Sequence, residues 1–190
     1  MASATDDALL DDLYTIFNST GVIFMPCRAY DEVYPNIFVG ERGTALSISF
    51  LKKIGITHIL NMAEGKGFGK VDTCAEYYKS EDDGRHLVYH GIRATDVQTF
   101  NILPMLEESA SFIKTAIDSG GKILVHCVEG FSRSPTAVAA YLMLHCDYTL
   151  QNALRTIRSR REVCPNDGFL KQLITLQKQI DANKHEAPAT

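Results

Sequence analysis

The sequence predicts a single α/β domain in which helices cover a mainly parallel sheet. Short β-type runs such as 57–62 and 122–125 alternate with amphipathic helical stretches, a pattern typical of strand–helix–strand units. The run 122–125 leads through a tight loop, 126–134, into an apolar helical stretch, 135–144. The length of 190 residues suits one domain with a sizeable core, and no repeat or linker divides it.

Composition and charge exclude several classes of protein. A chain with 45% hydrophobic and 22% charged residues is ordinary for a soluble domain, and no apolar run reaches the roughly 18 residues of a membrane span. The net charge of −4 argues against a nucleic-acid-binding protein. An odd number of cysteines without Cys-x-x-Cys spacing predicts neither a disulfide framework nor a zinc site, and favours a reducing compartment. These cysteines are Cys27, Cys74, Cys127, Cys146 and Cys164.

The first part of the chain alternates helical and extended segments. Apolar residues within 8–17 recur at helical spacing and predict a docking helix outside the main core. An extended stretch, 22–33, follows, and a Pro-Asn turn at 35–36 between β-type flanks predicts a strand pair. Gly55 is expected to end the next helix, just before the strand 57–62.

A glycine-rich segment, 64–70, follows that strand. It lacks the spacing of a nucleotide-binding loop that ends in Gly-Lys-Ser/Thr, so we interpret it as a plain loop rather than a phosphate cradle. One helical turn at 74–78, a strand at 86–92 and a polar loop at 94–99 complete this part of the chain.

The remaining predicted elements are helices. A long helix over 102–117 is ended by the glycines 120–121, and an amphipathic helix begins at Leu150. Asp167 is a candidate cap of the last helix. The amphipathic helix and its end carry a basic cluster that either contacts a second phosphate or acidic substrate residues, or forms only a solvated helix end. The cluster consists of Arg155, Arg158, Arg160 and Arg161.

The loop 126–134 carries the predicted chemistry. A loop that enters a helix N-terminus offers backbone N–H groups and the positive end of the helix dipole to a phosphate. Gly130 lets the backbone turn inward, and Arg133 can hold two phosphate oxygens and stabilise the transition state of phosphoryl transfer. Because the same field lowers the pKa of a thiol, we predict that Cys127 is a thiolate nucleophile.

Other polar residues are candidates for supporting roles. The Ser134 hydroxyl can hydrogen-bond the thiolate, and His126 either orients the loop or is a hydrogen-bonded core histidine. Asp96, 31 residues before the cysteine, is the candidate acid that protonates the leaving group and later activates water. Its alternative is a solvated or helix-capping aspartate, and Asp82 and Asp83 are weaker rivals.

The His-Cys-(five residues)-Arg-Ser pattern at 126–134 resembles the active-site motif of the protein tyrosine phosphatase superfamily. Segments 140–143 and 165–170 resemble motifs of its dual-specificity branch, and the similarity runs from about 31 to 180. Within the small atypical enzymes of that branch, three further segments resemble the group of the Vaccinia H1-related phosphatase. These segments are 55–61, 71–78 and 129–136.

The resemblance implies a five-stranded mixed, largely parallel sheet flanked by helices, and a pocket that admits phosphotyrosine and also phosphothreonine or phosphoserine. It implies a cysteinyl-phosphate intermediate and no cofactor or metal. It places the general acid at Asp96 and assigns the remaining catalytic roles to Cys127, Arg133 and Ser134. Arg161 matches a position implicated in binding a second phosphate of the substrate. Substrate binding is thus assigned to Val128, Glu129, Gly130, Phe131, Ser132, Arg133 and Arg161.

Three positions inside the loop bear on the substrate. Val128 stands where the Vaccinia H1-related group has a basic residue, which argues against a preference for acidic or doubly phosphorylated substrates. Phe131 stands in place of a tyrosine, a smaller change that loses one hydroxyl. Glu129 would repel additional phosphates, which disfavours the alternative of a lipid or RNA phosphatase. A phospho-binding scaffold, the other alternative, would be expected to lack part of the catalytic set, which is complete here.

We expect an N-terminal flank with the docking helix at 1–27, a dual-specificity phosphatase catalytic domain at 28–181 and a flexible tail at 182–190. The expected partners are phosphorylated proteins, with MAP kinases among them, and neither nucleic acid nor membrane. We further expect a monomer or weak homodimer in the cytoplasm or nucleus.

Overall fold

The computed structural model describes residues 4–18, 24–79 and 87–186. Within these ranges the chain forms eight helices and five strands. In chain order they are α1 (Ala4–Phe17), β1 (Tyr30–Tyr34), β2 (Ile37–Gly40), α2 (Arg42–Leu46), α3 (Ile48–Ile54), β3 (His58–Asn61), α4 (Ala75–Lys79), β4 (Val88–Gly91), α5 (Leu103–Asp118), β5 (Ile123–His126), α6 (Arg133–His145), α7 (Leu150–Arg158) and α8 (Asp167–Glu186).

The five strands form one sheet in the order β1-β2-β5-β3-β4. Only β1 is antiparallel to its neighbour, and the other three pairings are parallel. Strands β2, β3 and β5 are buried along their whole length, as expected for parallel strands covered on both faces. The predicted α/β class and the five-stranded, largely parallel sheet are confirmed.

Helices cover both faces of the sheet, and the two faces have separate apolar cores. The larger core joins the sheet to α1, α5, α6, α7 and α8, and the smaller one joins it to α2, α3 and α4. Leu13 and Phe17 of α1 are fully buried in the larger core. The prediction that the N-terminal helix lies outside the main core is therefore wrong, because its apolar stripe completes that core.

Local sequence signals account for several boundaries. The predicted strand pair is the β1–β2 hairpin, and Asn36 turns it with a positive φ of 63°. Gly55 ends α3 in the left-handed conformation, as predicted. The cap of α8 is not Asp167 but Asn166, whose side-chain oxygen accepts a hydrogen bond from the Phe169 N–H at 3.1 Å. Asp167 lies in the first turn and accepts a hydrogen bond from the Tyr14 hydroxyl of α1.

Some expectations concern the chain ends and the gaps. Helix α8 continues to Glu186, five residues into the predicted tail, whereas 187–190 lie outside the described residues. Asp82 and Asp83, the rival acids, also lie outside them. None of the helices in the described part of the chain is both long and apolar enough to cross a membrane.

Candidate active site

The candidate site lies where the parallel strands of the sheet end. The last residues of β2, β3, β4 and β5 are in register in one row across the sheet: Gly40, Asn61, Gly91 and His126. The segment after β5 and the segment after β4 therefore start at the same edge. In open α/β sheets this edge is where ligands bind, and here it brings the loop 127–132 close to Asp96.

The loop has a shape that only glycine permits at one point. Gly130 has a φ of +66°, and a Cβ placed on it would lie 2.6 Å from the Gly40 carbonyl oxygen. Two loop carbonyls are turned away from the site. Val128 O accepts from the Arg42 N–H at 2.8 Å, and Phe131 O accepts from the Cys164 N–H at 2.9 Å. The surrounding scaffold thus binds the outward-facing carbonyls, which leaves N–H groups to face the site.

Cys127 lies at the centre of this loop with 1% of its surface exposed. Burial raises the pKa of the Cys127 thiol, but the Arg133 charge, the Ser134 hydroxyl and the N–H groups of Ser134 and Phe131 outweigh it and hold the pKa below its ordinary value. Ser134 Oγ lies 3.4 Å from Cys127 Sγ, which confirms the predicted contact. The arrangement favours the thiolate, which is the nucleophilic form.

Arg133 is the first residue of α6 and is 3% exposed. Its Nη1 donates to the carbonyls of Gly69 at 2.8 Å and Ala94 at 3.2 Å. Its Nε lies 3.3 Å from Asp96 Oδ2, but has no hydrogen-bond partner among the described residues. The contact is therefore an ion pair without hydrogen-bond alignment, and the Nε donor is available to a phosphate oxygen.

Asp96 contacts the loop through its other carboxylate oxygen. Oδ1 accepts hydrogen bonds from Ser132 Oγ at 2.8 Å and from Asn166 Nδ2 at 2.9 Å. The Asn166 N–H in turn donates to Ser132 Oγ at 3.2 Å. The structure thus brings the sequence-predicted acid to the nucleophile loop. Asn166, which the sequence reasoning used only as part of a motif, is a further residue of the site.

Arg161 is engaged by protein groups in the structure, so its expected contact with a second phosphate stays a prediction. Four of its hydrogen bonds go to Gly130 O at 2.9 Å, Glu129 O at 3.0 Å, Arg28 O at 2.8 Å and Asp31 Oδ2 at 2.9 Å. Its side chain is 1% exposed. A guanidinium has five N–H donors, so its binding capacity is almost fully used to support the back of the loop.

The rest of the basic cluster is dispersed. Arg155 and Arg160 are exposed, whereas Arg158 pairs with Glu162 and donates to the Phe17 carbonyl. This arrangement fits the solvated and structural interpretation of the helix end. Within the described ranges, no group of three or more His, Cys, Asp or Glu side chains could hold a metal ion.

His126 supports the start of the loop. It is fully buried, and burial lowers its pKa to about 4, so the ring is neutral at physiological pH. Its Nδ1 lies 3.2 Å from the Cys127 carbonyl oxygen, and its Nε2 has no partner among the described residues. The contact with the residue that carries the nucleophile favours the loop-orienting interpretation of this histidine.

Comparison with known proteins agrees with this geometry. A family model described as "Dual specificity phosphatase, catalytic domain" matches residues 37–179. The phosphatase domain of Yvh1 from Chaetomium thermophilum is 28% identical, with a TM-score of 0.67 over 80% of this chain and 96% of that one. Human DUSP28 is 24% identical, with a TM-score of 0.69 over 81% and 96%.

A third similar structure is that of PTPMT1 in complex with PI(5)P. It is 19% identical, with a TM-score of 0.68 over 83% of this chain and 99% of that one, and at this identity it shows the fold alone. The resemblance to the Vaccinia H1-related group stays a prediction. Because the family match spans most of the 190 residues, the chain belongs to the dual-specificity phosphatase family of the protein tyrosine phosphatase superfamily and is a phosphatase.

Proposed function

We propose that this chain hydrolyses phosphotyrosine and phosphoserine or phosphothreonine in proteins through a cysteinyl-phosphate intermediate. The observation that carries the proposal is the convergence of Cys127, Arg133, Ser134 and Asp96 at one edge of the sheet. In the first step, the Cys127 thiolate forms an S–P bond as the P–O bond to the leaving group breaks. Arg133 stabilises the charge on the transferring phosphoryl group.

Asp96 supplies the proton in this step. Its carboxyl group protonates the departing oxygen, and in the second step its carboxylate takes a proton from the water that hydrolyses the S–P bond. Ser134 then stabilises the thiolate as it leaves. An arriving phosphate competes with the Asp96 carboxylate for Arg133 Nε, which makes this ion pair the contact that substrate must replace.

The surface around the loop supports a protein substrate over a lipid that carries a second phosphate beside the one hydrolysed. Glu129 is an exposed acidic residue within the loop, and Val128 and Phe131 are half-buried and uncharged. A second phosphate next to Glu129 would be repelled. Two exposed apolar residues adjoin segments that contact the site in sequence: Val97, 48% exposed, follows Asp96, and Phe68, fully exposed, precedes Gly69.

The substrate class can be tested with a panel that includes the lipid alternative. We expect the purified chain, in buffer with a chelator, to hydrolyse a phosphotyrosine and a phosphothreonine peptide faster than PI(5)P. Cys127→Ser should abolish turnover of every substrate. Glu129→Lys should raise the activity on the phosphoinositide relative to the peptides, with Glu129→Gln as the control for loss of charge alone. A preference of the unmodified enzyme for the phosphoinositide would contradict the proposal.

We also propose that phosphorylated proteins, MAP kinases among them, are the partners of a monomeric or weakly dimeric enzyme in the cytoplasm or nucleus. The described cysteines are all free thiols, in keeping with a reducing compartment. The Cys127→Ser protein, incubated with cell extract, should retain substrates that it cannot hydrolyse. Vanadate added beforehand should occupy the site and prevent this retention. Retention that vanadate does not affect would count against site-directed binding.

A further inference from the structure

The glycine-rich segment 64–70 contacts the active site, although its sequence predicts only a plain loop. It is irregular, as predicted, but the Gly69 carbonyl accepts a hydrogen bond from Arg133 Nη1 at 2.8 Å. Lys70, the next residue, directs its ammonium group to the segment that precedes Asp96. One short loop therefore contacts both the phosphate-binding arginine and the segment after β4 that carries the acid.

Lys70 makes hydrogen bonds to three consecutive residues. Its Nζ lies 3.1 Å from Arg93 O, 2.9 Å from Ala94 O and 3.0 Å from Thr95 Oγ1. An ammonium group has three N–H donors, and all three are used here. Because bonds from a charged donor are stronger than neutral ones, these contacts fix the backbone immediately before Asp96.

The same contacts connect Lys70 to Arg133. The Ala94 carbonyl accepts from Lys70 Nζ at 2.9 Å and from Arg133 Nη1 at 3.2 Å. The two cations thus lie close together, and burial, followed by the Arg133 charge, lowers the pKa of Lys70. The glycine-rich loop makes a second contact with this segment, the ion pair between Glu64 and Arg93 at 3.2 Å. Because the Arg93 side chain is exposed, this pair does little to hold the segment in place.

We propose that Lys70 is a positioning residue for the general acid. It holds residues 93–95 so that the Asp96 carboxyl reaches the leaving oxygen of a substrate whose phosphate is bound by Arg133. The inference rests on the proposed acid role of Asp96. Since Lys70 acts through the backbone that carries the acid, its loss should impair proton transfer to the leaving group more than binding of the phosphate.

Leaving groups of different basicity separate these two effects. Phenyl phosphate needs a proton on its departing oxygen, whereas p-nitrophenyl phosphate needs it much less. A well-placed acid contributes about 10²–10⁴-fold, so we expect Lys70→Met to lower kcat/KM on phenyl phosphate about tenfold and on p-nitrophenyl phosphate less than about threefold. Lys66→Met is the matched control, because Lys66 is an exposed lysine of the same loop, and it should change neither value.

Combination with Asp96→Asn makes the test specific. In that background Lys70→Met should have almost no further effect, because residues that act through one group are not additive. Equal losses on both phosphates, or full additivity with Asp96→Asn, would overturn the positioning role. If Asp96→Asn alone lowers kcat/KM equally on both phosphates, Asp96 is not the general acid. That outcome would contradict the proposed function and not only the role of Lys70.

Two further variants keep the proposal testable if Lys70→Met does not fold. Lys70→Arg keeps the charge and donors, and should restore most of the activity on phenyl phosphate. Thr95→Val removes one of the three acceptors at similar volume, and should give a smaller loss with the same dependence on the leaving group. A Thr95→Val loss that is equal on both phosphates would contradict the proposal.

Discussion

The two faces of the phosphate loop differ in how their polar groups are paired. The front face, formed by Cys127, Arg133 and Ser134, points toward Asp96. The back face is formed by Gly130 together with Arg161, the arginine that binds it. On the front face Arg133 Nε lacks a hydrogen-bond partner among the described residues, whereas on the back face Arg161 bonds three carbonyls and a carboxylate.

Burial does not distinguish the two arginines, since Arg133 and Arg161, counted as whole residues, are both 3% exposed. The two arginines differ in hydrogen bonding. A buried donor without a partner, such as Arg133 Nε, is costly unless a ligand satisfies it. The comparison predicts that front-face substitutions change turnover with little effect on stability, and that back-face substitutions do the opposite.

Arg133→Met should have the largest effect. Arginines that stabilise phosphoryl-transfer transition states are worth about 10³–10⁵-fold, so we expect kcat/KM on an aryl phosphate to fall at least about 10³-fold. Arg133→Lys keeps the charge but loses the planar guanidinium group, so its kcat/KM should lie between those of the unmodified enzyme and of Arg133→Met. Thermal unfolding should show a stable protein in both cases. A melting temperature far below that of the unmodified chain, with turnover retained, would place Arg133 with the back face.

Asp96→Asn should have the next largest effect, about 10²-fold in kcat/KM. The amide preserves an acceptor for Ser132 and the shape of the side chain, so the loss is one of chemistry rather than of packing. The pH–rate profile should lose its falling limb at high pH, because that limb reports the acid losing its proton. A falling limb that persists in the variant would mean that another group donates the proton.

Ser134→Ala should have a smaller effect that depends on pH. The Ser134 hydroxyl is one of the groups that lower the pKa of the Cys127 thiol, so its removal raises that pKa. Less thiolate is then present at acidic pH, and the rising limb of the profile moves to higher pH with a several-fold loss on that limb.

The rate of alkylation of Cys127 by iodoacetate, measured against pH, follows the thiolate directly and should move in the same direction. Ser132→Ala is the matched control. Ser132 Oγ contacts Asp96 and the Asn166 N–H, so this variant should leave the thiol titration in place. A common shift in both variants would indicate a general disturbance of the loop.

The front face could be predicted from the sequence because its parts are contiguous. Cys127, Arg133 and Ser134 lie within eight residues, between a β-type run and an apolar helix, so local spacing sets their geometry. Asp96 is a candidate from its polar loop, but only the resemblance raises it above the alternative of a solvated or helix-capping aspartate. Its contacts with Ser132 and Asn166 span 36 and 70 positions, and no local pattern encodes them.

The back face could not be predicted, for the same physical reason. Arg161 follows a helix whose end is basic, and from spacing alone it looks like its exposed neighbour Arg160. Its burial depends on Asp31 and Arg28, 130 and 133 positions away. Helix α1 illustrates the same limit, since its apolar spacing indicates a helix but not that Leu13 joins the main core.

Arg161→Met is the last experiment and should have the smallest effect on turnover. Removing one partner of a buried ion pair leaves the other charge uncompensated, at a cost of about 3–5 kcal/mol. Here Asp31 keeps a contact with Arg28 at 2.7 Å, which places the expected loss in the free energy of unfolding at the lower end. Arg160→Met, at an exposed neighbouring arginine, should leave the free energy of unfolding unchanged.

The same variant decides between support of the loop and recognition of a second phosphate. If Arg161 supports the loop, the folded fraction should lose activity equally on a singly and a doubly phosphorylated Thr-x-Tyr peptide, because both substrates use the same front face. A selective loss on the doubly phosphorylated peptide, with unfolding unchanged, would mean that Arg161 leaves its four partners to bind substrate. Denaturant unfolding and kcat/KM for both peptides, measured below the unfolding transition, separate these outcomes.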